Sequence, residues 1–133
     1  MSWPETDLAY IAGFFDGEGC ITTGVHPGGR TALRVQITQK DVSPLLFIKE
    51  RFEGGYIRPE RDCWQLGWSG TKALPFLSAI QPYLIAKQGQ ARLALEWIAL
   101  NGGRYPRGKH LPPDVKARRT EIHHELKRLK VVS

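Results

Sequence analysis

The chain has 133 residues, is 41% hydrophobic and carries a formal net charge of +6. This length suits one domain with its own core and excludes two ordinary enzyme domains. Its apolar runs are too short to span a bilayer, and the N-terminus lacks a signal-peptide pattern. We therefore expect an intracellular protein without a membrane partner, cytoplasmic or nucleoid-associated, or in an organelle matrix if organelle-encoded.

The positive charge is concentrated at one end of the chain. Residues 1–103 contain ten Lys/Arg and ten Asp/Glu, whereas residues 104–133 contain nine and three. A basic excess predicts a polyanionic partner but does not by itself separate nucleic acid from an anionic membrane. We predict a core at 1–103 and a basic C-terminal loop and helix at 104–133, both within the same domain.

The first half of the chain predicts a helix, two strands and a second helix. Periodicity and turn residues give the bounds 7–17 for the helix, with Thr6 as N-cap, 20–25 and 31–40 for the strands, and 43–52 for the next helix. The second strand alternates, with Leu33, Val35 and Ile37 on one side. We expect that side in the core and the other to be a polar surface.

The second half predicts a hairpin followed by helices. The strands are expected at 56–61 and 63–69 and the helices at 71–84 and 87–100, with a last helix after Pro112-Pro113. The order predicts an α+β fold of type αββαββα with a four-stranded antiparallel sheet. Cys20 and Cys63 are expected as buried thiols, and His123 and His124 as surface residues.

Residues 11–19, IAGFFDGEG, combine small residues and acids at the end of the first helix. Ala9, Ala12, Gly13 and Gly17 leave one side of the helix nearly bare, so another backbone could approach closely. A neighbouring helix of the same chain would be the ordinary occupant. Asp16 and Glu18, however, oppose the helix dipole, which favours a nearby positive charge.

This segment resembles the nine-residue signature of LAGLIDADG homing endonucleases position by position. The resemblance implies that Glu18 binds a divalent metal with the backbone carbonyl of Gly17, and that one motif per chain means a homodimer. Ala9, Ala12, Gly13 and Asp16 would lie in the dimer interface, and Asp16 would also fix the helix end. Paired Glu18 carboxylates require cations, and oxygen ligands favour Mg²⁺ or another divalent ion such as Mn²⁺ or Ca²⁺.

Two further segments resemble the family, within a similarity that covers about residues 8–100. QITQK at 36–40 is similar to the end of a family strand whose glutamine positions water near the phosphate, a role that falls to Gln39. QPYLIAKQ at 81–88 is similar to a segment whose lysine stabilises charge at the phosphate, here Lys87. An arginine that some members carry after the glutamine is absent, and Ser43 or a neighbour occupies that region.

The polar strand side is a candidate surface for double-stranded DNA, because side chains at every second strand residue can meet successive base edges in a major groove. The candidate DNA-binding residues of the two hairpins are Arg30, Arg34, Gln36, Thr38, Arg58, Arg61 and Gln65. Arg118 and Arg119 of the basic tail, with Lys127, Arg128 and Lys130, are expected to bind phosphates.

The resulting prediction is a metal-dependent endonuclease that cuts both strands of a long, partly palindromic DNA site. The family's cuts cross the minor groove and leave short 3′ overhangs. Two alternatives stay open: a DNA- or RNA-binding protein of the same fold without nuclease activity, such as a transcription regulator or an intron maturase, and a basic protein-interaction module.

Overall fold

The computed structural model describes residues 3–26, 30–100 and 112–132, with the side chains at 26, 30, 131 and 132 outside that description. Five helices and four strands are defined in these ranges: α1 (Glu5–Glu18), β1 (Gly19–His26), β2 (Arg30–Gln39), α2 (Ser43–Arg51), β3 (Tyr56–Glu60), β4 (Cys63–Ser69), α3 (Leu74–Ile80), α4 (Gln88–Ala99) and α5 (Pro113–Val132). The strands form one antiparallel sheet in the order β1-β2-β4-β3. The predicted α+β architecture is confirmed.

The sheet has one packed face and one polar face. In β2, Leu33, Val35 and Ile37 are buried, and β4 adds Leu66 and Trp68 to the same core. The alternation expected from the sequence is therefore confirmed. The helices α1, α3, α4 and α5 pack on the apolar side, which leaves the other side of the sheet without a covering element within the described residues.

Helix α1 lies against the sheet through Ile11, Ala12 and Phe15, all of which are fully buried. The helix begins at Glu5 after Pro4, so Thr6 is not the N-cap that the sequence predicted. Proline suits the start of a helix because its missing N–H would have no partner there. The other end is Glu18, after which the chain continues directly into β1.

The predicted helix at 71–84 is broken into three pieces. A 3-10 turn at Gly70–Ala73 leads into α3, and a second 3-10 turn at Gln81–Tyr83 follows it. Pro82 cannot donate the backbone hydrogen bond that would extend α3, and Leu84 is extended with ψ at 144°. The break creates the segment 85–87 before α4, in which Ile85 and Ala86 are exposed and Lys87 is half-buried.

Helix α5 packs across α4, β1 and β2. Ile122 and Leu126 are buried, and the Nδ1 atom of His123 lies 2.6 Å from the Thr23 hydroxyl oxygen. The expectation that His123 is a surface residue is therefore wrong, because its face of the helix meets β1. The predicted boundary between 103 and 104 lies outside the described residues.

No helix in the described ranges is both long enough and apolar enough to cross a membrane.

Candidate functional site

One face of α1 is exposed and nearly free of side chains. Ala9, Gly13 and Gly17 follow one another at four-residue spacing along it, and all three are exposed. Ala12, predicted to share this face, is instead fully buried because it points at the chain's own core. The placement of Ala12 in a dimer interface is therefore corrected.

Packing among the residues that the structure describes does not require the two glycines on this face. A Cβ atom added at Gly13 or at Gly17 would meet nothing within 4 Å. A Cβ at Gly19 would lie 2.2 Å from the Phe15 ring, so that glycine has a reason within the fold. Gly13 and Gly17 lie in a helix, where glycine costs about 1 kcal/mol relative to alanine, without any such reason.

The bare face forms one wall of an open groove of about 590 Å³ at the end of α1. The groove is lined by Ala9, Tyr10, Gly13, Phe14, Gly17, Glu18, Gln39 and Pro44. Glu18 and Gln39, predicted as catalytic residues from separate motifs, thus share one concave surface. Their meeting follows from the sheet register, because Gly19 pairs with Ile37, two residues before Gln39 in β2.

Glu18 and Gln39 differ in how they are held. Glu18 is exposed and makes no hydrogen bond or ion pair with the described residues. The side-chain oxygen of Gln39 accepts a hydrogen bond from the Lys40 amide at 2.9 Å, which fixes the oxygen and leaves the Gln39 amide nitrogen as a donor. The carboxylate is available for a ligand, while the glutamine is oriented.

Asp16 joins α1 to the segment before α4. Its carboxylate accepts hydrogen bonds from the amides of Ile85 at 2.8 Å and Lys87 at 2.9 Å, and the Lys87 ammonium donates to the Asp16 carbonyl at 2.7 Å. Asp16 therefore holds the 85–87 segment rather than the turn after its own helix. Its predicted place in a dimer interface stays a prediction, because the side chain is half-buried in a single copy.

These bonds explain the unusual position of Lys87. The residue is the N-cap of α4, where a positive charge opposes the helix dipole. Its side chain leaves α4 and ends at the C-terminus of α1, where a positive charge is favourable and where α1 has no basic residue in its own last turn. Lys87 thus supplies part of the positive charge that was expected near Asp16.

A single copy offers few metal ligands. Within 3–26, 30–100 and 112–132 there is no group of three or more His, Cys, Asp or Glu side chains placed to hold an ion. At the groove, the oxygen donors are the Glu18 carboxylate and nearby backbone carbonyls such as that of Gly17.

The thiols of Cys20 and Cys63, predicted to be buried, are only half-buried. Partial burial, together with the neighbouring Asp62 carboxylate, raises the pKa of the Cys63 thiol.

The candidate DNA-binding residues of the hairpins share the polar side of the sheet. We call Arg34, Gln36, Thr38, Arg58 and Gln65 the polar sheet face. Arg34 and Arg58 are exposed and Gln36 and Thr38 are half-buried, but Gln65 is only 7% exposed. Gln65 is therefore too enclosed to be the direct contact that the sequence predicted, because its side chain is held between β3 and β2.

Two further side chains, those of Arg61 and Tyr56, lie at the margins of this surface. Arg61 is exposed in the β3–β4 turn with a φ of 55°, and the Arg30 side chain lies outside the described residues. Tyr56, which the sequence analysis missed, pairs with Gly67 on the polar side and is 38% exposed. Its even spacing from Arg58 is the signal that would have identified it.

The two tail arginines are engaged within the chain. Arg118 donates to both carboxylate oxygens of Glu96, at 2.5 and 2.8 Å, and also to Glu121 and Glu125. The Arg118 hydrogen bond lowers the pKa of Glu96. Arg119 is 5% exposed and its guanidinium lies 3.8 Å from the centre of the Trp97 ring.

The prediction that Arg118 and Arg119 bind phosphates is therefore corrected. One has its charge balanced by three glutamates, and the other is covered by α4. Lys127 and Arg128, on the same helix, are exposed and keep the predicted role as an expectation.

Comparison with known proteins finds a relative that is similar in amino-acid sequence. No protein-family model matches the chain. Over 100 residues the chain is 34% identical to the DNA endonuclease I-CreI of Chlamydomonas reinhardtii, a match that covers 68% of this chain and 61% of I-CreI. The match thus spans less than two thirds of that relative's length.

Solved structures share the fold at lower identity. The homing endonuclease I-CvuI, in complex with the I-CreI target in the presence of magnesium and with its DNA not cleaved, has a TM-score of 0.80 at 22% identity, covering 94% of this chain and 82% of that one. The LAGLIDADG meganuclease I-AabMI, bound to uncleaved DNA, has a TM-score of 0.76 at 23% identity, covering 91% and 44%. From its IAGFFDGEG segment, its fold and its match to I-CreI, the chain belongs to the LAGLIDADG homing endonuclease family.

Proposed function

We propose that this protein is a site-specific DNA endonuclease that acts as a homodimer. It would hydrolyse one phosphodiester bond in each strand of a long pseudo-palindromic DNA duplex. A divalent cation, with Mg²⁺ as the main candidate, would bind at Glu18. The observation that carries this proposal is the shared groove, in which unpaired Glu18 and oriented Gln39 lie at the end of the bare face of α1.

The bare face supports a second copy as the partner. Gly13 and Gly17 cost helix stability and face space that no described residue fills, which supports a surface outside the described chain as their partner. The chain covers 82% of I-CvuI but only 44% of I-AabMI, so the longer protein has room for two units of this size. Two copies related by a two-fold axis would place both α1 faces together, with both Glu18 residues at the base of the interface.

The available ligands fit a hard cation held between two copies and DNA. One Glu18 carboxylate with a Gly17 carbonyl is too small a set for a closed site, but Mg²⁺ is often held by one or two carboxylates together with phosphate oxygens and water. A second Glu18 and the DNA backbone would add the missing oxygens. A cation bound there would supply Lewis-acid activation and offset the charge that develops at the phosphate.

The chain's own polar groups would then act on either side of Glu18. The side-chain amide of Gln39, whose oxygen accepts a hydrogen bond from the Lys40 backbone N–H, would orient the attacking water. The Lys87 ammonium uses one of its donors on the Asp16 carbonyl, which keeps it at the same helix end and leaves two donors for the phosphate. Asp16 is a positioning residue, since it holds the segment that carries Lys87.

The polar sheet face is suited to the major groove of the DNA. Arg34 and Arg58 extend from neighbouring parts of the sheet and are exposed, and strands present side chains at the spacing needed for successive base pairs. Lys127 and Arg128 would add phosphate contacts that depend on salt and carry little sequence information. Recognition would thus use the polar sheet face, and cutting would use the groove where α1 and β2 end.

A randomised duplex library tests the proposal with Glu18→Gln and the matched control Glu50→Gln. Glu50 is an exposed glutamate on α2, away from the groove lining, so its substitution removes the same charge. Binding is measured with EDTA and cleavage with Mg²⁺. We expect the unaltered protein and Glu50→Gln to bind and cut, whereas Glu18→Gln binds the same sequences and cuts at least about a thousandfold more slowly.

Two outcomes would contradict the proposal. Binding by the unaltered protein without cleavage in Mg²⁺ or Mn²⁺ would favour a DNA-binding protein of this fold without nuclease activity. Cleavage that survives in Glu18→Gln at the rate of Glu50→Gln would remove Glu18 from the chemistry.

A further inference from the structure

Three side chains on the polar sheet face form a hydrogen-bonded series that crosses the sheet. The Arg58 Nε atom of β3 donates to the Oε1 atom of Gln65 in β4 at 3.0 Å, and the Gln65 Nε2 atom donates to the Oε1 atom of Gln36 in β2 at 3.2 Å. We call Arg58, Gln65 and Gln36 the amide series. Arg58 and Gln65 are directly paired residues, whereas Gln36 pairs with Gly67 and is the diagonal neighbour of Gln65.

The direction of these hydrogen bonds is set by the arginine. A guanidinium has donors only, so the Gln65 group that faces Arg58 must be its oxygen. The Gln65 nitrogen then faces Gln36, and the Gln36 group that faces Gln65 must be its oxygen. The orientation of both amides therefore follows from Arg58, although oxygen and nitrogen of an amide have nearly the same shape.

These hydrogen bonds determine which side-chain group of Gln36 stays available. Gln65 is 7% exposed; its side-chain oxygen accepts a hydrogen bond from Arg58, and its side-chain nitrogen donates one to Gln36. Gln36 is half-buried, its oxygen is taken, and its Nε2 atom has no hydrogen-bond partner among the described residues. Gly67, opposite Gln36, has no side chain, and the Tyr56 ring lies over it, 3.4 Å from where a Cβ atom of Gly67 would be. Gln36 thus keeps an available donor on the polar sheet face.

We propose that Gln65 is a positioning residue that fixes Gln36 as a hydrogen-bond donor toward DNA, so that the base facing Gln36 is a keto base. This inference rests on the proposed DNA-binding function and adds the polarity of one contact. In the major groove, thymine presents O4 and guanine presents O6 and N7, all acceptors, whereas cytosine presents an amino group and adenine presents an amino group beside its N7 acceptor, so only the keto bases leave no amino group facing a fixed donor. An unconstrained glutamine can turn its oxygen and nitrogen to match adenine, but Gln36 has its oxygen held.

The test is a reversal of base preference. In Gln65→Glu, the new carboxylate can only accept, so it keeps the bond from Arg58 and turns the Gln36 amide around to obtain a second donor. Gln36 would then present its oxygen, which suits the amino groups of adenine and cytosine. In Gln65→Leu, a side chain of similar size makes neither bond, and Gln36 would turn freely.

The readout is selection from a randomised duplex pool, with sequencing of the bound DNA. Gln36→Ala first identifies the base position that loses its preference, and Thr38→Ala identifies a neighbouring position as an internal control. We expect the unaltered protein to favour keto bases at the Gln36 position, Gln65→Glu to favour amino bases there by about tenfold relative to the unaltered protein, and Gln65→Leu to favour neither. The Thr38 position should keep its preference throughout.

An unchanged preference in Gln65→Glu, or an amino-base preference in the unaltered protein, would overturn the inference. Absence of enrichment at every position would instead contradict the proposed function, and the polarity would then be measured in the DNA-free protein by NMR. Gln65 side-chain NH₂ protons should exchange slowly and those of Gln36 rapidly, and Gln65→Glu should slow the Gln36 exchange. Equal Gln36 exchange rates in the two proteins would overturn the inference without reference to DNA.

Discussion

Helices α1 and α5 contrast in how their polar and small residues are used. In α5, Arg118 is bonded to three glutamates and Arg119 is covered by Trp97, so the two arginines hold the helix on the body. In α1, Gly13, Gly17 and Glu18 face open space and gain nothing from the rest of the described chain. A residue therefore indicates an external partner only when its own chain gives it no role.

The largest effect is expected from filling the bare face of α1. Gly13→Leu places a large side chain where the chain itself leaves space, so the monomer should fold and gain about 1 kcal/mol in helix propensity. The same side chain would block close approach of a second copy. We expect a monomer by sedimentation at micromolar concentration and loss of double-strand cleavage.

The matched control is Gly24→Leu, a glycine of β1 that also has nothing within 4 Å of an added Cβ. This variant should sediment as a dimer like the unaltered protein. A Gly13→Leu protein that remains a dimer, or an unaltered protein that is monomeric both free and on DNA, would show that the open face of α1 is not the interface.

Removing Arg118 should weaken the attachment of α5. Arg118→Met leaves Glu96, Glu121 and Glu125 close together without their shared cation, and we expect the free energy of unfolding to fall by about 2 kcal/mol. Lys116→Met, at an exposed position on the same helix, removes an equal charge and should stay within about 0.5 kcal/mol of the unaltered protein. Urea titration measures both, and equal decreases would contradict a specific role for Arg118.

A smaller effect is expected where α5 does carry exposed charge. The double variant Lys127→Gln, Arg128→Gln should bind DNA more weakly, and the steepness of its salt dependence should fall by about 0.9 for each phosphate that is no longer neutralised. Lys49→Gln, Arg92→Gln removes two exposed charges from α2 and α4 as the control. Binding isotherms at several salt concentrations measure the slopes; parallel slopes for the double variant and the unaltered protein would exclude α5 from phosphate binding.

The smallest effect concerns pH and His123. Burial lowers the pKa of His123, with Lys127 and His124 acting in the same direction, so the unfolded chain takes up the proton first as the pH falls. The contribution to stability is complete above the unfolded pKa of about 6.5 and is lost as the pH falls below it. His123→Gln, which can still pair with Thr23, should lose less thermal stability than the unaltered protein between pH 7.5 and 5.5.

The control for pH is His124→Gln, an exposed neighbour on the same helix. It should keep the pH dependence of the unaltered protein. If His123→Gln and His124→Gln reduce the pH dependence of the melting temperature equally, the buried position of His123 is not the cause of that dependence.

The features predicted correctly from the sequence are local ones. The alternation of β2, the helix that ends at the two acids, and the two hairpins each depend on spacing within about ten residues. The break in the helix around Pro82 was missed because the apolar pattern continues through it, although the proline cannot extend the hydrogen bonding.

The missed contacts of the site are those between distant parts of the chain. Lys87 reaches Asp16 from 71 residues away, Arg118 reaches Glu96 from 22, and His123 reaches Thr23 from 100. Periodicity gives the face on which a side chain lies but not the partner that lies opposite. For this reason the sequence placed Arg118, Arg119 and His123 at a free surface, where the fold has other helices and strands.

Strand β2 carries Gln36 and Thr38 on the polar sheet face and, one residue further, Gln39 on the side of the groove with Glu18. Because neighbouring residues of a strand point to opposite sides, a substitution at an even-numbered position of β2 alters the recognition surface without placing any atom in the groove. If the proposed function holds, single substitutions could therefore change the target preference while the groove with Glu18 stays the same. A one-residue insertion within the strand would exchange the two sides and abolish both properties at once.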